Sequence, residues 1–354
     1  MIKLKKFITL GVSSLTAMCL FSAVNANASY KCDVNNDGVT NVSDAVSIMQ
    51  YLVGAYNIAN PDVADFNNDG FVSEADATGI QYLGIGVQKP INADYTPSKK
   101  TQLNNFNVDY YRYNATTGKQ IGNKYTVEAA PTIGSVSSQS QIGNDDRVKD
   151  YSQSAICLIE TKNGACGTGF VASDNSILTA GHCLKNSGGI KSITFYDSNG
   201  NKKSFKPTLV DYSIPVNYMD NENSNFDYAL ITVSDDLSDY NNLKFGYALQ
   251  YAIDTQATVY VTGCQGDKNL TMEVGVGRLD STSNTARLYY TCDTSPGVSG
   301  APIYADLIFE GKHYYTVVGI HTNGDPAEKP EDRKYNRGVR MCPNITNLIR
   351  NNLN

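Results

Sequence analysis

Short apolar runs alternate with turn-forming residues along the second half of the chain, from about residue 154 onward. The runs read AICLIE, GTGFVAS, SILTA, SITFY, YALITV, ATVYVTG, ARLYYT, APIYA and YTVVGIH. Runs of this length, separated by turn residues, are typical of antiparallel strands rather than of strand–helix–strand units. The last segment, CPNITNLIRNNLN, places Ile345, Leu348 and Ile349 at helical spacing. The pattern predicts an all-β barrel or sandwich followed by a C-terminal helix.

The first 28 residues have a different pattern. Three lysines precede an apolar stretch from Phe7 to Val24, and the small residues Ala26-Asn27-Ala28 follow it. This order is typical of a secretory signal peptide, here residues 1–28, with cleavage after Ala28. Ser and Thr interrupt the apolar stretch, which disfavours a membrane anchor. We therefore expect a secreted, extracellular protein.

Charge and cysteine content limit the partners and the compartment. The net charge is −6, and removal of the three leader lysines makes the protein more acidic, so nucleic acid is an unfavourable partner. No later segment is long and apolar enough to span a membrane. Of eight cysteines, Cys19 lies in the leader, which leaves seven in an oxidising compartment. Disulfides are expected there, with one cysteine left over.

Two twelve-residue segments, DVNNDGVTNVSD at 33–44 and DFNNDGFVSEAD at 65–76, repeat one pattern of oxygen-bearing side chains. Each has Asp, Asn and Asp at positions one, three and five, Gly at six and Asp at twelve, as EF-hand-type calcium loops do. A single copy could be a solvated turn, but the duplication favours two Ca²⁺ sites. The expected ligands are Asp33, Asn35, Asp37, Asn41, Asp44, Asp65, Asn67, Asp69, Ser73 and Asp76.

Each loop leads into one predicted helix, AVSIMQYLVG or ATGIQYLGIG, with nothing helical before it. This duplication resembles a type I dockerin over residues 31–87. The resemblance implies a small α-helical module that binds a cohesin domain of a cellulosome-type scaffoldin. Loop positions ten and eleven, Val42/Ser43 and Glu74/Ala75, would recognise the cohesin. The two pairs differ, which argues against a symmetric two-way binding mode.

Three separate segments carry residues suited to nucleophilic catalysis. SILTAGHCLKN contains His182, NFDYALITV contains Asp227, and DTSPGVSGAPIY contains Ser299. A histidine at a strand end and a serine in a Gly-Val-Ser-Gly turn are ordinarily structural. All three residue types occur here in the order His, Asp, Ser, which is one of the orders known for the serine-hydrolase triad.

The motifs TAGHC, DYAL and GVSGAP together resemble the chymotrypsin-like serine peptidases. SQIGNDDR, VTGCQGDK and GIHTNG are similar to the bacterial glutamyl endopeptidases in particular. The resemblance implies a trypsin-like double-barrel domain at 140–354 that hydrolyses peptide bonds without a cofactor. Residues 88–139 would then be a linker, with a hairpin within a possible propeptide.

The resemblance also assigns catalytic roles. His182 would act as general base and Asp227 would orient its imidazole while Ser299 attacks the substrate. The backbone N–H groups of Gly297 and Ser299 would form the oxyanion hole. His313 is expected to be structural.

Two specificities remain open at this stage. The glutamyl-endopeptidase resemblance implies that Thr294 and His321 bind the carboxylate of a substrate Glu or Asp. Asp293, six residues before the nucleophile, stands where trypsin-like enzymes bind Arg or Lys. Gly324 and Gly338 would keep the pocket open. We expect cleavage after Glu or Asp, because His321 would crowd a long cationic side chain.

Two disulfides are expected. Cys166 lies 17 residues before Cys183, and a bond between them would clamp two adjacent strands beneath His182. The second expected pair is Cys264 with Cys292. Elimination leaves Cys157 with Cys342, and Cys32 as the odd cysteine.

Other functions compete with a scaffold-bound serine endopeptidase. The main alternative is a catalytically inactive peptidase-like binding or inhibitory module on the scaffold, and a secreted esterase with the same triad is a weaker one. The presence of all three triad residues and of Gly297 favours an active enzyme.

Overall fold

The computed structural model describes residues 32–35, 39–55, 57–58, 60–84, 101, 103–128, 147–240, 243–309, 312–324 and 334–352. The expected signal peptide, the loop residue Asp37 and the region around residue 140 lie outside the described residues. In these ranges no helix is long and apolar enough to cross a bilayer.

Most of the described chain is β-structure, with short helices at its edges. The helices are α1 (Val42–Leu52), α2 (Glu74–Gly84), α3 (Gly181–Leu184), α4 (Val216–Asn221), α5 (Gln250–Asp254) and α6 (Pro343–Asn352). The strands are β1 (Phe71–Val72), β2 (Val108–Asn114), β3 (Tyr125–Val127), β4 (Val148–Lys149), β5 (Ile156–Thr161), β6 (Cys166–Ser173), β7 (Ser176–Thr179), β8 (Ile190–Phe195), β9 (Leu209–Pro215), β10 (Ala229–Val233), β11 (Lys244–Phe245), β12 (Tyr247–Ala248), β13 (Thr258–Gln265), β14 (Thr271–Arg278), β15 (Arg287–Tyr290), β16 (Pro302–Phe309), β17 (Lys312–Asn323) and β18 (Asn336–Arg340). Every predicted apolar run contributes to a strand, so the all-β prediction is confirmed.

The strands form two large sheets. Sheet one has the order β3-β2-β9-β10-β7-β6-β5-β8, and sheet two has the order β15-β18-β17-β16-β13-β14-β4, with β11 paired to β17. His182 and Asp227 adjoin strands of sheet one, whereas Ser299 lies in the turn before β16 and His321 lies in β17, both strands of sheet two. The candidate site therefore lies where the two sheets meet.

The hairpin β2–β3 belongs to sheet one. Strand β2 pairs with β9 from Tyr110↔Pro215 to Asn114↔Asp211. The Tyr110 side chain is fully buried, and its hydroxyl lies 2.9 Å from that of Tyr228. The predicted hairpin is present, and the interpretation of this stretch as a linker is wrong for residues 103–128, because β2 pairs with β9 and buries Val108 and Tyr110.

The two helices of the N-terminal module pack against each other through fully buried Ile48 and Ile80. Helix α1 begins at a reciprocal cap: the Ser43 N–H donates to Asn41 Oδ1 (2.7 Å), and the Asn41 N–H donates to Asp44 Oδ2 (2.8 Å). Such caps satisfy N–H groups that have no partner within the helix. The predicted loop-plus-helix duplication thus holds for both copies.

The second predicted calcium loop, residues 65–76, directly contacts the strand-rich region that the sequence predicts to be a peptidase, here called the peptidase region. Its strand β1 pairs antiparallel with β12, Phe71↔Ala248 and Val72↔Tyr247. The Leu249 N–H extends the ladder by donating to Gly70 O at 2.8 Å. Gly70 has φ +87°, and a Cβ there would lie 2.6 Å from the Ala252 nitrogen, so only glycine allows both the turn and the contact.

Side chains on both sides of the β1–β12 ladder pack together and exclude water from it. Phe71 and Ala75 belong to one core cluster with Ile253, Val259 and Tyr314 of the peptidase region. The Tyr51 and Tyr247 rings lie 4.7 Å apart between centroids, and the Tyr247 hydroxyl lies 3.2 Å from Tyr51 O. The N-terminal module and the peptidase region therefore share a hydrophobic core.

Candidate active site

His182 lies in the turn of helix α3, directly after strand β7. Its backbone N–H donates to Asp227 Oδ1, and its Nδ1 lies 2.8 Å from Asp227 Oδ2. Gly181 allows this approach, because a Cβ there would lie 3.3 Å from Asp227 Oδ1 and 3.0 Å from the Tyr218 ring. The carboxylate can only accept, so the neutral imidazole carries its proton on Nδ1 and leaves Nε2 as an acceptor.

The pair sets the protonation behaviour of His182. Burial by itself lowers the pKa of His182, but the charge and hydrogen bond of Asp227, together with Cys183, raise it well above its ordinary value. Asp227 is only 2% exposed, so water screens this attraction weakly. The arrangement stabilises a protonated imidazole next to the cleft.

Ser299 lies in a turn that is held by both sheets. Thr168 of sheet one donates its N–H to Ser299 O at 2.8 Å, and the Gly300 N–H donates to His321 O of sheet two at 2.8 Å. Gly300 has φ +92°, which favours glycine. The Ser299 hydroxyl donates to Thr322 O at 3.4 Å. The turn fixes the serine backbone and leaves the hydroxyl in the cleft.

The peptide between Pro296 and Gly297 has a defined orientation. Pro296 O accepts from the Gly266 N–H at 2.7 Å, and Gly297 O accepts from Thr168 Oγ1 at 2.8 Å. In a trans peptide the C=O and N–H point in opposite directions, so the Gly297 N–H points away from Gly266. Gly297 has φ +102°, and a Cβ there would lie 2.6 Å from Cys264 O. Only glycine fits this position.

A cleft of about 370 Å³ contains these groups. Its lining residues are His182, Thr294, Ser295, Pro296, Ser299, His321, Thr322, Asn323, Gly324 and Asn336. The structure thus brings together the predicted residues His182, Ser299, Thr294, His321 and Gly324, with Asp227 behind His182.

His321 is held as a neutral donor toward this cleft. It is 3% exposed, and its Nδ1 lies 2.5 Å from the Tyr290 hydroxyl. Burial lowers the pKa of His321 to about 3 and raises the pKa of Tyr290 well above its ordinary value. Tyr290 therefore donates to Nδ1, and the imidazole proton lies on Nε2.

Two residues of the alternative cation pocket do not take part in the described cleft. Asp293 is buried at 1% exposure and is not among the described residues that line it. A Cβ on Gly338 would meet Ile303 and the Ile320 backbone, so this glycine permits packing within sheet two rather than keeping the cleft open. The assignment of Gly338 to the pocket is therefore wrong.

The structure also identifies one residue of the cleft and one residue behind it that the sequence patterns do not. Asn336 is fully buried at the start of β18 and lines the cleft. Arg287 is fully buried and donates to Thr322 Oγ1 at 3.0 Å and to Ser224 O. Arg287 lies within a predicted strand, and a charged residue in the apolar run ARLYYT is a signal that could have drawn attention to it.

One expected disulfide does not fit the fold. Cys264 pairs with Met272 in the β13–β14 ladder, whereas Val259 pairs with Gly277. The Cys292 thiol donates to Val259 O at 3.3 Å. Five residues of strand, about 17 Å, therefore separate Cys264 from the level of Cys292. A disulfide needs Cα atoms within about 7 Å, so the pairing of Cys264 with Cys292 is wrong.

The thiols of Cys166 and Cys183 are neighbours. The Cys183 thiol donates to Ser299 O at 3.5 Å. Burial raises the pKa of Cys166, and nearby Cys183 raises it further. Both are thiols in this structure. Their position under the active-site turn keeps this pair as the expected disulfide.

The carboxylates of the second predicted calcium loop accept hydrogen bonds from the loop backbone. Asp65 accepts from the N–H groups of Asp69 and Gly70 at 3.1 Å each, and Asp76 accepts from Ser73 N at 2.8 Å. Burial raises the pKa of Asp76 well above its ordinary value, and the charges of Asp69 and Asp65 raise it further. A cation would relieve this repulsion. Within the described ranges, no three His, Cys, Asp or Glu side chains form a preset metal cluster.

In the first loop, Asp44 accepts from Val34 N at 2.7 Å and from Asn41 N at 2.8 Å, as Asp76 does from Phe66 N and Ser73 N in the second. The position-twelve carboxylate thus closes both loops in the same way. The donor set of hard oxygen atoms fits Ca²⁺.

Comparisons with known proteins agree with this architecture. Residues 167–307 match the model of the trypsin-like peptidase domain, and residues 31–82 match that of the dockerin type I domain. The chain is a serine endopeptidase of the trypsin-like, double-barrel class that carries a type I dockerin.

Among its relatives is the glutamyl endopeptidase of Bacillus licheniformis, 29% identical over 252 residues that cover 66% of this chain and 76% of the relative. The chain is thus similar to a glutamyl endopeptidase over about two thirds of its length. The extracellular metalloprotease of Bacillus subtilis is 25% identical over 274 residues, 73% of this chain and 83% of that protein.

Two solved structures are also similar. A Glu endopeptidase in complex with MPD has a TM-score of 0.48 and 20% identity, covering 60% of this chain and 99% of that one. Protease Anisep from Arthrobacter nicotinovorans has a TM-score of 0.41 and 17% identity, covering 55% and 93%.

Proposed function

We propose that His182, Asp227 and Ser299 form the catalytic triad of this endopeptidase. The observation that carries the proposal is the 2.8 Å contact between His182 and Asp227, with His182 and Ser299 lining the same cleft. The Ser299 hydroxyl turns from Thr322 O toward His182 Nε2 and gives up its proton as it attacks the substrate carbonyl. His182 then passes the proton to the leaving amine, and Asp227 stabilises the imidazolium.

The oxyanion of the tetrahedral intermediate is assigned to the N–H groups of Gly297 and Ser299. The fixed Pro296 carbonyl supports this role, because it orients the Gly297 N–H before substrate arrives. A donor oriented in advance needs no reorganisation during the reaction, and one such donor contributes about 3 kcal/mol in related sites.

A fluorophosphonate probe tests the nucleophile. We expect the processed protein to be labelled and Ser299→Ala to be unlabelled, while Ser204→Ala, at an exposed serine, remains labelled. An unlabelled wild-type protein would instead indicate an inactive binding module.

The pH dependence of kcat/KM tests the His182–Asp227 pair. Only neutral His182 can accept the serine proton, so kcat/KM should rise with pH through a pKa above about 6.5. Asp227→Asn should lower kcat by about 10⁴-fold, because the imidazole then loses its required tautomer. A profile that is flat from pH 6 to 9 would contradict the assignment.

For specificity, we propose cleavage after Glu or Asp. Thr294 and the Nε2–H of neutral His321 give the cleft hydrogen-bond donors for carboxyl oxygens, and Gly324 leaves room beside them. Asp293, which would favour Arg or Lys, is not among the described lining residues. Mass spectrometry of a digested peptide library tests this proposal, and cuts after Arg and Lys would contradict it.

We propose that the dockerin, residues 31–87, binds two Ca²⁺ ions through the oxygen ligands of its two loops and tethers the peptidase to a cohesin-bearing scaffoldin outside the cell. Ser43 of the first repeat is exposed, whereas Ala75 of the second is fully buried against the peptidase region. The cohesin therefore docks on the first repeat. Binding of a type I cohesin panel, with and without calcium, tests this assignment.

The domain boundaries change accordingly. We propose that the peptidase domain comprises 140–354 together with 103–128, because strand β2 pairs with β9. The linker then shortens to residues 88–102 and 129–139.

A further inference from the structure

A buried glutamine lies behind the turn that contains Ser299. Gln265 ends strand β13 and is 0% exposed. Its Oε1 accepts from the Ser295 N–H at 3.0 Å and from the Ser295 hydroxyl at 2.9 Å. Ser295 lines the cleft and precedes Pro296, whose fixed carbonyl orients the Gly297 N–H. Gln265 thus anchors the start of the turn that carries the proposed oxyanion donors.

Arg147 determines the orientation of the Gln265 amide. Its Nη1 donates to Gln265 Oε1 at 2.5 Å and to Asp267 Oδ1 at 3.1 Å, and its Nη2 donates to Asp267 Oδ2 at 2.6 Å. A guanidinium can only donate, so the amide atom that faces it is the oxygen. Gln265 Nε2 is buried and has no hydrogen-bond partner among the described residues. The amide is therefore held through its oxygen, and Arg147 is the charged donor to that oxygen.

The Arg147 side chain is itself fixed in place. It is only 2% exposed, and strand β4, which follows it directly, pairs with β14 at Val148↔Val274. The hydrogen bond from Arg147 lowers the pKa of Asp267, so this carboxylate stays ionised and holds the guanidinium. The planar guanidinium can therefore hold Gln265 and Asp267 in one fixed geometry.

Residues 265–267 hold the turn at a second point. Gly266 lies between the two residues that Arg147 contacts, and its N–H donates to Pro296 O at 2.7 Å. A Cβ on Gly266 would lie 2.3 Å from the same oxygen, so the two backbones are in close contact. Arg147 therefore acts, through one short segment, on both Ser295 and the peptide between Pro296 and Gly297.

We infer that Arg147 is a positioning residue: by fixing Gln265, it holds residues 295–297 in the conformation in which the Gly297 N–H binds the oxyanion. This inference rests on the proposed triad and oxyanion hole. The oxyanion forms only as the reaction proceeds, so a displaced donor lowers kcat and leaves substrate binding nearly unchanged.

Steady-state kinetics of Arg147→Met in the processed protein, with a peptide that the wild type cuts, tests the inference. We expect kcat to fall by about tenfold to hundredfold with KM within about twofold, because an oxyanion donor acts mainly on the transition state. The affinity for a peptide boronate, whose tetrahedral adduct occupies the same hole, should fall by the same factor as kcat. Lys149→Met, at an exposed lysine two residues further along the chain, should keep the wild-type kcat. A wild-type kcat in Arg147→Met, or a loss confined to KM, would overturn the inference.

A double-mutant cycle distinguishes this positioning role from a general loss of stability. Gln265→Met should lower kcat to a similar extent, and the double variant should lose no more than the larger single loss, because Arg147 acts through Gln265. Losses that multiply would overturn the inference. Should Arg147→Met fail to fold, a wild-type kcat in Gln265→Met would overturn it equally. A wild-type protein that cuts no peptide and takes no fluorophosphonate label would instead overturn the endopeptidase function itself.

Discussion

The two calcium repeats share a sequence pattern but differ in their surroundings. In the first repeat, helix α1 leaves Ser43 exposed and presents Met49 and Val53 at 39% and 52% exposure. In the second repeat, Phe71 and Ala75 are buried at 2% and 0%, in contact with the peptidase region. Tyr51 of the first repeat also packs on Tyr247, so both copies contribute to the shared core. The first copy nevertheless retains an exposed face on α1, whereas the second pairs as a strand with the peptidase region.

The difference originates in two residues of the second loop. Phe71 and Val72 form a ladder with Tyr247 and Ala248, so the peptidase supplies the strand partner of the loop. The ligand pattern of the loop is unchanged by this contact. The oxygen-bearing ligand pattern and the tertiary packing thus involve different positions of the same twelve residues.

Removal of calcium should lower the stability of the folded protein more than any of the substitutions below. A ligand at about 1,000 times its Kd stabilises the folded state by about 4 kcal/mol, and the second loop would transmit this gain to the peptidase core. Chelation should therefore lower the unfolding temperature of the Ser299→Ala protein, measured by circular dichroism. The calcium-dependent change in unfolding temperature should be smaller in Asp65→Ala than in Asp33→Ala. Equal changes in the two variants would contradict the difference between the repeats.

Phe71→Ala should destabilise the whole protein by about 3 kcal/mol, because it empties a buried site in the shared core. Met49→Ala, on the exposed face of α1, should change the free energy of unfolding by less than about 0.5 kcal/mol. Urea denaturation measures both. Similar values for the two variants would mean that the second repeat does not contribute to the peptidase core.

Tyr247→Phe should have the smallest effect. It removes a hydroxyl that lies 3.2 Å from Tyr51 O and 2.9 Å from Thr346 Oγ1, but retains the ring. The expected loss is about 1 kcal/mol in the free energy of unfolding. A change within experimental error would show that ring packing, rather than this hydrogen bond, connects the two regions.

The sequence predicts those features that depend on local order. Apolar runs locate the strands, and the duplicated loop pattern locates both repeats of the dockerin. The motifs around His182, Asp227 and Ser299 predict residues that the structure places at one cleft. Each of these signals is contained in a few consecutive residues.

Features that depend on strand register cannot be predicted from such local patterns. Cys264 and Cys292 appear compatible with a disulfide until the β13–β14 ladder separates them along the sheet. Strand β1 has two residues inside a ligand loop, too few to show a period. Asn336 resembles any polar residue near a turn, and only the Cys292 contact reveals its orientation.

Differential scanning calorimetry of the full-length Ser299→Ala protein in saturating calcium tests most directly whether the dockerin and the peptidase share one core. The account predicts a single cooperative transition that moves as a unit when Phe71 is changed to Ala. Two separate transitions, of which only the smaller responds to calcium and to Phe71→Ala, would contradict it.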